Sequence, residues 1–327
     1  MRDLHLIDIS SKDIVYEPIR KGFGRGLVDA GRQNEQVVAL CADLTESTQI
    51  HLFAKEFPER YIEVGIAEQN LVTVAAGLAA MGKIPFTSSY AAFSPGRNWE
   101  QYKTTACINN QPVKIVGSHA GLYTGPDGAT HQMLEDIALM RVLPNNVVIV
   151  PCDSIEAYKA TLALSQDKRP GYIRLARDNS AVMTTDETPF QIGKAQVFSP
   201  GGDVTIIACG TMVYQALLAA EMLYHDGIDA EVINVATIKP LDTETILASA
   251  KKTGCVITVE EAQINGGLGS AVAEVLSENY PLPLMRMGVK DRFGESGTPA
   301  ELLEYFGLTA KHIALQAHGI VKKRVDS

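Results

Sequence analysis

Short runs of β-branched and aromatic residues alternate with longer stretches of helical apolar spacing along the whole chain. VVALC (37–41), IPFTSSY (84–90), VKIVGS (113–118), NVVIVPC (146–152) and GYIRLA (171–176) are bounded by Gly, Pro, Asn or Asp and predict strands. The clearest helical pattern runs from Glu68 to Met81, rich in Ala and Leu and stopping at Gly82. Strands that are apolar nearly throughout predict a parallel sheet covered on both faces. The polar stretch 184–203 breaks this rhythm with Pro189, Pro200 and the Gly201-Gly202 pair, and a linker is expected at 187–202. Beyond it VTIIACG, AEVINVATI, CVITVEEA and PLMRMGV predict a second, smaller unit. The expected fold class is α/β, with domains at 1–186 and 203–327, each a mostly parallel sheet flanked by helices.

Composition narrows the function. The chain has 327 residues, 46% hydrophobic and 20% charged, with a net charge of −9. No basic face is expected, which argues against nucleic acid, so an anionic substrate must be caught by a few local arginines. No run approaches a membrane span, and MRDLHLIDIS has no apolar core behind its arginine, so no secretory signal is expected. The five cysteines, Cys41, Cys107, Cys152, Cys209 and Cys255, are far apart and form no CxxC pair. Reduced, buried thiols and a cytoplasmic location are the expectation.

Two glycine clusters invite a nucleotide-binding reading. Gly22-Phe23-Gly24-Arg25-Gly26 has no strand before it, and Asn265-Gly266-Gly267-Leu268-Gly269 lacks the full dinucleotide spacing. A tight strand-to-helix turn accounts for the second. Walker, HExxH and GxSxG sequences are absent. His119 and His131, with Asp127 between them, do not have zinc-ligand spacing, and no metal site is expected in this chain.

Three segments carry candidate chemistry. Glu68 opens a helix whose other residues are nearly all small or apolar. Read alone, it is either a first-turn acid favoured by the helix dipole or a desolvated carboxylate that must share its proton. Tyr90 and Phe93 lie at or just after a strand end, as core residues or as a ring platform. The segment from Ser118 to Gln132 gathers His119, Asp127 and His131 among glycines at the carboxyl end of a strand, where an α/β site is expected.

Together these segments resemble the transketolase family, from about Ile14 to about Ala317. The resemblance is carried by Asp43-Leu44-Thr45, Gly65-x-x-Glu68, Ser88-x-Tyr90-x-x-Phe93, His119 and Asp127-Gly128-x-Thr130-His131. It implies a pyrimidine-binding domain of the thiamine-diphosphate-binding fold followed by the family's C-terminal domain. By this resemblance Glu68 contacts the ring nitrogen N1′ of thiamine diphosphate, and Tyr90 and Phe93 pack on the aminopyrimidine. His119 and His131 stand beside the donor hydroxyls and the cofactor amino group, suited to proton relay near neutral pH. Asp127 reads a sugar hydroxyl, and Asp43 lies near the cofactor and the dimer interface. Arg20, Ser47 and Arg177 match the family's phosphate pocket, a task for which the planar guanidinium fork is suited. The implied reaction is transfer of a two-carbon ketol unit from a ketose phosphate to an aldose phosphate; a sulfonated sugar would suit the same pocket.

One family element is missing. The Gly-Asp-Gly sequence and downstream asparagine that hold the cofactor's diphosphate through Mg²⁺ do not occur. The resemblance therefore implies the C-terminal subunit of a split transketolase. An N-terminal partner would carry that domain and most of the Mg²⁺ ligation, in an α2β2 heterotetramer. Three departures bear on the substrate. The family's third ring-packing aromatic falls on Gly96, and Gln69 follows the glutamate where many transketolases have histidine. The run Arg97-x-Trp99-Glu100-Gln101 is similar to deoxyxylulose-phosphate synthase. The competing readings are a subunit of that kind, the β subunit of a 2-oxoacid dehydrogenase decarboxylase, and a non-catalytic partner that kept the fold.

Overall fold

The computed structural model describes residues 5–9, 11 and 13–325. The secretory-signal reading of residues 1–10 lies partly outside the described residues. Among the described residues, fourteen strands follow in order: β1 (Tyr16–Pro18), β2 (Val37–Cys41), β3 (Tyr61–Glu63), β4 (Ile84–Tyr90), β5 (Lys114–Ser118), β6 (Val147–Ile149) and β7 (Gly171–Leu175), then β8 (Asn179–Ala181), β9 (Gln196–Ser199), β10 (Val204–Ala208), β11 (Ala230–Asn234), β12 (Thr237–Lys239), β13 (Val256–Gln263) and β14 (Leu284–Val289).

The first sheet has the order β12-β6-β7-β5-β4-β2-β3, parallel except for β12 at its edge. Every residue of β2, β5 and β7 is buried, as expected for strands covered on both faces. One covering layer joins the helices Ile19–Gln33 and Ser154–Gln166. Their contact explains the first glycine cluster: a Cβ at Gly22 would lie 1.7 Å from the Ser154 carbonyl oxygen, so only glycine lets the two backbones approach. The helix expected at Glu68–Met81 spans Glu68–Ala80 and covers the opposite face through Leu71, Val72, Ala75 and Ala79.

The second sheet has the order β14-β13-β10-β11-β9, with β9 antiparallel at its edge. Two features differ from the sequence expectation. Residues 196–199, inside the stretch expected to be linker, form β9, which pairs antiparallel with the edge of β11 and buries Phe198. The strand β12, from within the second unit, crosses over to pair with β6 of the first sheet. At the second glycine cluster, the Glu260 carboxylate accepts hydrogen bonds from the N–H groups of Leu268 and Gly269, both at 2.8 Å. It thereby caps the helix Leu268–Asn279, so the cluster is a tight helix-opening turn.

All five cysteines are buried. Among the described residues, no helix is long and apolar enough to cross a membrane, and no group of three or more His, Cys, Asp or Glu side chains is placed to hold a metal ion.

Candidate active site

The sequence-selected residues converge on the carboxyl ends of the first sheet's strands, where connecting loops leave side chains free of the hydrogen-bond ladder. Strand β4 ends in Tyr90. His119 and Arg177 follow β5 and β7, which are neighbours in the sheet, and Asp43 follows β2.

Four rings form one cluster. The Tyr90 and His119 rings stack at 3.8 Å between centroids and 21° between planes. Phe93 lies 5.8 Å from Tyr90 in a stacked arrangement, and His131 meets Phe93 edge-on at 5.5 Å. Tyr90 and Phe93 are held close in space by a turn in which Tyr90 C=O accepts from Phe93 N–H at 2.8 Å. Gly96, at the position of the third ring-packing aromatic, sits against this turn. A Cβ there would lie 2.0 Å from the Ala92 carbonyl oxygen, so no side chain fits.

His119 is buried and adopts a left-handed backbone with φ +56°, a conformation that costs a non-glycine residue energy. The cost is offset by Thr124, whose hydroxyl donates to the His119 carbonyl at 2.6 Å, and by a 2.9 Å hydrogen bond between Ser118 Oγ and His119 Nδ1. Burial, then the positive Arg20 and Arg177 and the neighbouring His131, push the imidazole down to about 2. His119 is therefore neutral at physiological pH and presents a fixed donor–acceptor pair.

Glu68 is 4% exposed at the first position of its helix. The guanidinium of Arg97 stands in for lost water, with Nη1 donating to Oε2 at 3.1 Å, while Arg97 also lies 4.2 Å above the Phe93 ring. Asn98 Nδ2 donates to the Glu68 carbonyl at 2.9 Å and to Ser94 Oγ at 3.0 Å, tying the helix start to the aromatic turn.

Arg20 and Arg177 form a positive corner beside His119. Arg177 Nη1 donates to the Thr124 carbonyl at 3.1 Å and lies 4.0 Å from Asp127 Oδ1. Arg20 has Nε and Nη1 buried with no hydrogen-bond partner. Burial, and then the like charge of Arg177, hold its guanidinium below the ordinary value. Buried guanidinium N–H groups left unsatisfied beside a second arginine are suited to an oxyanion.

Asp43 and Ser47 lie in the segment that follows β2. Asp43 is exposed, with φ +59°. Ser47 is half-buried in the turn that follows, and among the described residues no hydrogen bond joins it to Arg20 or Arg177.

Two participants were given no site role by the sequence reading: Arg97, noted there only for its similarity to deoxyxylulose-phosphate synthase, and Glu63. Glu63 accepts from the N–H groups of Asp43 and Gly65, each at 2.8 Å, and from Tyr61 OH at 2.8 Å. Partial burial alone would raise it, but these hydrogen bonds win and lower it below the usual carboxylate range. It fixes both the Asp43 turn and the approach to Glu68. A carboxylate two residues before Gly65 was the only available signal.

The chain matches the transketolase pyrimidine-binding domain over residues 18–182 and the transketolase C-terminal domain over residues 193–313. A putative transketolase C-terminal section of Methanocaldococcus jannaschii is 46% identical over 312 residues, covering 94% of this chain and 98% of its own. The 6-deoxy-6-sulfo-D-fructose transketolase subunit SqwH of a Clostridium species is 46% identical over 298 residues, covering 91% and 92%. Among solved structures, a split-gene transketolase described as an inactive β4 tetramer superposes with a TM-score of 0.88 at 46% identity, covering 93% of this chain and 98% of that one.

Proposed function

The chain belongs to the transketolase family and corresponds to the C-terminal subunit of its split members, and from that premise we propose how its residues divide the work of ketol transfer between sugar phosphates. The observation that carries the reading is the convergence of a buried carboxylate, a ring cluster and an unsatisfied arginine fork at one set of strand ends. The family is thiamine-diphosphate dependent, and when bound that cofactor supplies a carbon nucleophile and a sink for the electrons released on C–C cleavage.

This chain's part is to bind, orient and move protons. Glu68, buried at the helix start, would share a proton with the aminopyrimidine N1′ of the bound cofactor. The Tyr90 and Phe93 rings would pack on the pyrimidine. His119, kept neutral, hydrogen-bonds the sugar hydroxyls, and His131 relays protons beside them. Asp127 accepts from a sugar hydroxyl, while Arg20, with Arg177 and Ser47, receives the substrate's terminal anion. Asp43 lies at the edge facing the cofactor and a second protomer.

The cofactor diphosphate and its Mg²⁺ belong to an N-terminal partner subunit, and the working assembly is α2β2 in the cytoplasm. The relatives named as a transketolase C-terminal section and a transketolase subunit, covered over 98% and 92% of their own length, support this. So does the relative of 46% identity whose β4 tetramer is inactive. Mixing the purified chain with an N-terminal transketolase subunit, thiamine diphosphate and Mg²⁺ tests the reading. Ketol transfer from xylulose 5-phosphate to ribose 5-phosphate is expected from the mixture and not from either chain alone. Turnover by this chain alone, or decarboxylation of pyruvate in place of transfer, would overturn it. A sulfonated sugar is the second reading, favoured by the similarity to SqwH, because a sulfonate offers the Arg20 fork the same tetrahedral oxygens.

A further inference from the structure

The loop that follows β5 carries Asp127 and His131, yet it is fastened at both ends by side chains that bridge to the second domain. At its start, the Tyr123 N–H donates to Glu261 Oε2 at 3.0 Å. Glu261, on β13, is itself buried and held by Thr211 Oγ1 at 2.9 Å and by the Arg174 guanidinium. At its end stands Gln132, which is 4% exposed. Its Nε2 donates both to the Gly125 carbonyl at 2.9 Å, inside the loop, and to the Glu295 carbonyl at 2.8 Å, in the second domain. Both neighbours are obligate acceptors, so the amide nitrogen must face them.

The fit around the amide is tight. A Cβ at Gly294 would lie 1.8 Å from Gln132 Oε1. The helix Pro299–Tyr305 then continues from this segment and packs on the loop.

We propose that Gln132 is a positioning residue through which the C-terminal domain holds the substrate-reading loop, and with it Asp127, in its working place. This rests on the assignment of Asp127 to a sugar hydroxyl. Glu68 and Tyr90 are anchored by the first sheet and its helices instead, whereas Arg177 also donates to the Thr124 carbonyl of the loop. Releasing the loop therefore loosens recognition of the sugar, through Asp127 and the Arg177 contact, while leaving the proton-handling carboxylate Glu68 in place. The second domain thus contributes to specificity without supplying a group that touches substrate.

The substitution Gln132→Glu keeps the size but turns two donors into an acceptor facing two carbonyls. In the two-chain enzyme, KM for the ketose donor is expected to rise about tenfold or more, the scale of a lost buried hydrogen-bond pair. kcat is expected to fall by less than KM rises, because the loop also carries His131 while Glu68 stays in place. In the isolated chain, hydrogen exchange of amides 121–132 should accelerate while the strands of the first sheet stay protected. Gly294→Ala, which displaces the amide from the other side, should reproduce both effects and serves if Gln132→Glu fails to fold. Unchanged exchange in both variants would overturn the brace. Faster exchange with unchanged KM would overturn its role in recognition. If the wild-type mixture shows no ketol transfer, the functional assignment fails while the exchange experiment still decides the brace.

Discussion

Arg97 Nη1 donates to Glu68 Oε2 at 3.1 Å, joining a side chain that is half exposed to one that is only 4% exposed. The asymmetry matters, because the two ends of this pair answer differently to removal. Loss of Glu68 leaves a guanidinium that can turn into water. Loss of Arg97 leaves a desolvated carboxylate without its partner.

Glu68→Gln is accordingly expected to lower ketol transfer by the two-chain enzyme about 100-fold or more, the usual scale for a positioned proton-handling group. Its melting temperature should hold or rise. Arg97→Met should instead destabilise the chain by about 1–3 kcal/mol, the cost of an unsatisfied buried polar group. Paired activity and thermal-unfolding measurements check both, and full activity in Glu68→Gln would remove it from the proton-handling role.

His119 is held down to about 2, chiefly by burial, against an ordinary value of 6.5. Between those values the unfolded chain binds a proton that the folded chain does not. His119 thus contributes stability that is present above pH 6.5 and is lost as pH falls through the interval toward 2. Comparing the wild type with His119→Gln cancels the other titrating groups. The variant should lose stability less steeply on acidification, by up to about 1.4 kcal/mol per pH unit. Histidine NMR should show this ring neutral at pH 5, and a protonated ring there would contradict the burial argument.

Arg20 presents two buried, unpartnered N–H groups, and Arg177 stands beside it. Replacing either by alanine should raise KM for phosphorylated sugars about 10- to 100-fold, the range for charge-assisted hydrogen bonds. Unphosphorylated sugars should respond far less. Arg20→Lys should not restore binding, because an ammonium lacks the fork. Equal effects on both sugar classes would take the arginines out of the anion site.

Gly96 cannot carry a side chain without pushing the Ala92 carbonyl aside. Gly96→Ala should cost about 1–3 kcal/mol by overpacking and disturb the Tyr90–Phe93 turn. Restoring the aromatic residue of other family members at this position should fail for the same reason. An unchanged melting temperature in Gly96→Ala would show that the turn can yield.

The sequence alone determined the alternation of strands and helices, the division into two α/β units, and the candidates Glu68, Tyr90, Phe93, His119, Asp127 and His131. These are legible because strand periodicity, helix stops and loop glycines are local properties, and because the motif spacing resembles a known family. Tertiary structure decided which strand ends are neighbours. The sheet places β5 beside β7, out of chain order, and this brings Arg177 to His119. It also decided that Arg97 reaches Glu68, that β12 leaves its own unit to pair with β6, and that Gln132 bridges to Glu295. None of these pairings has a local signature: each depends on long-range packing that brings remote backbone groups within hydrogen-bond reach, and a buried donor takes whichever acceptor that packing delivers.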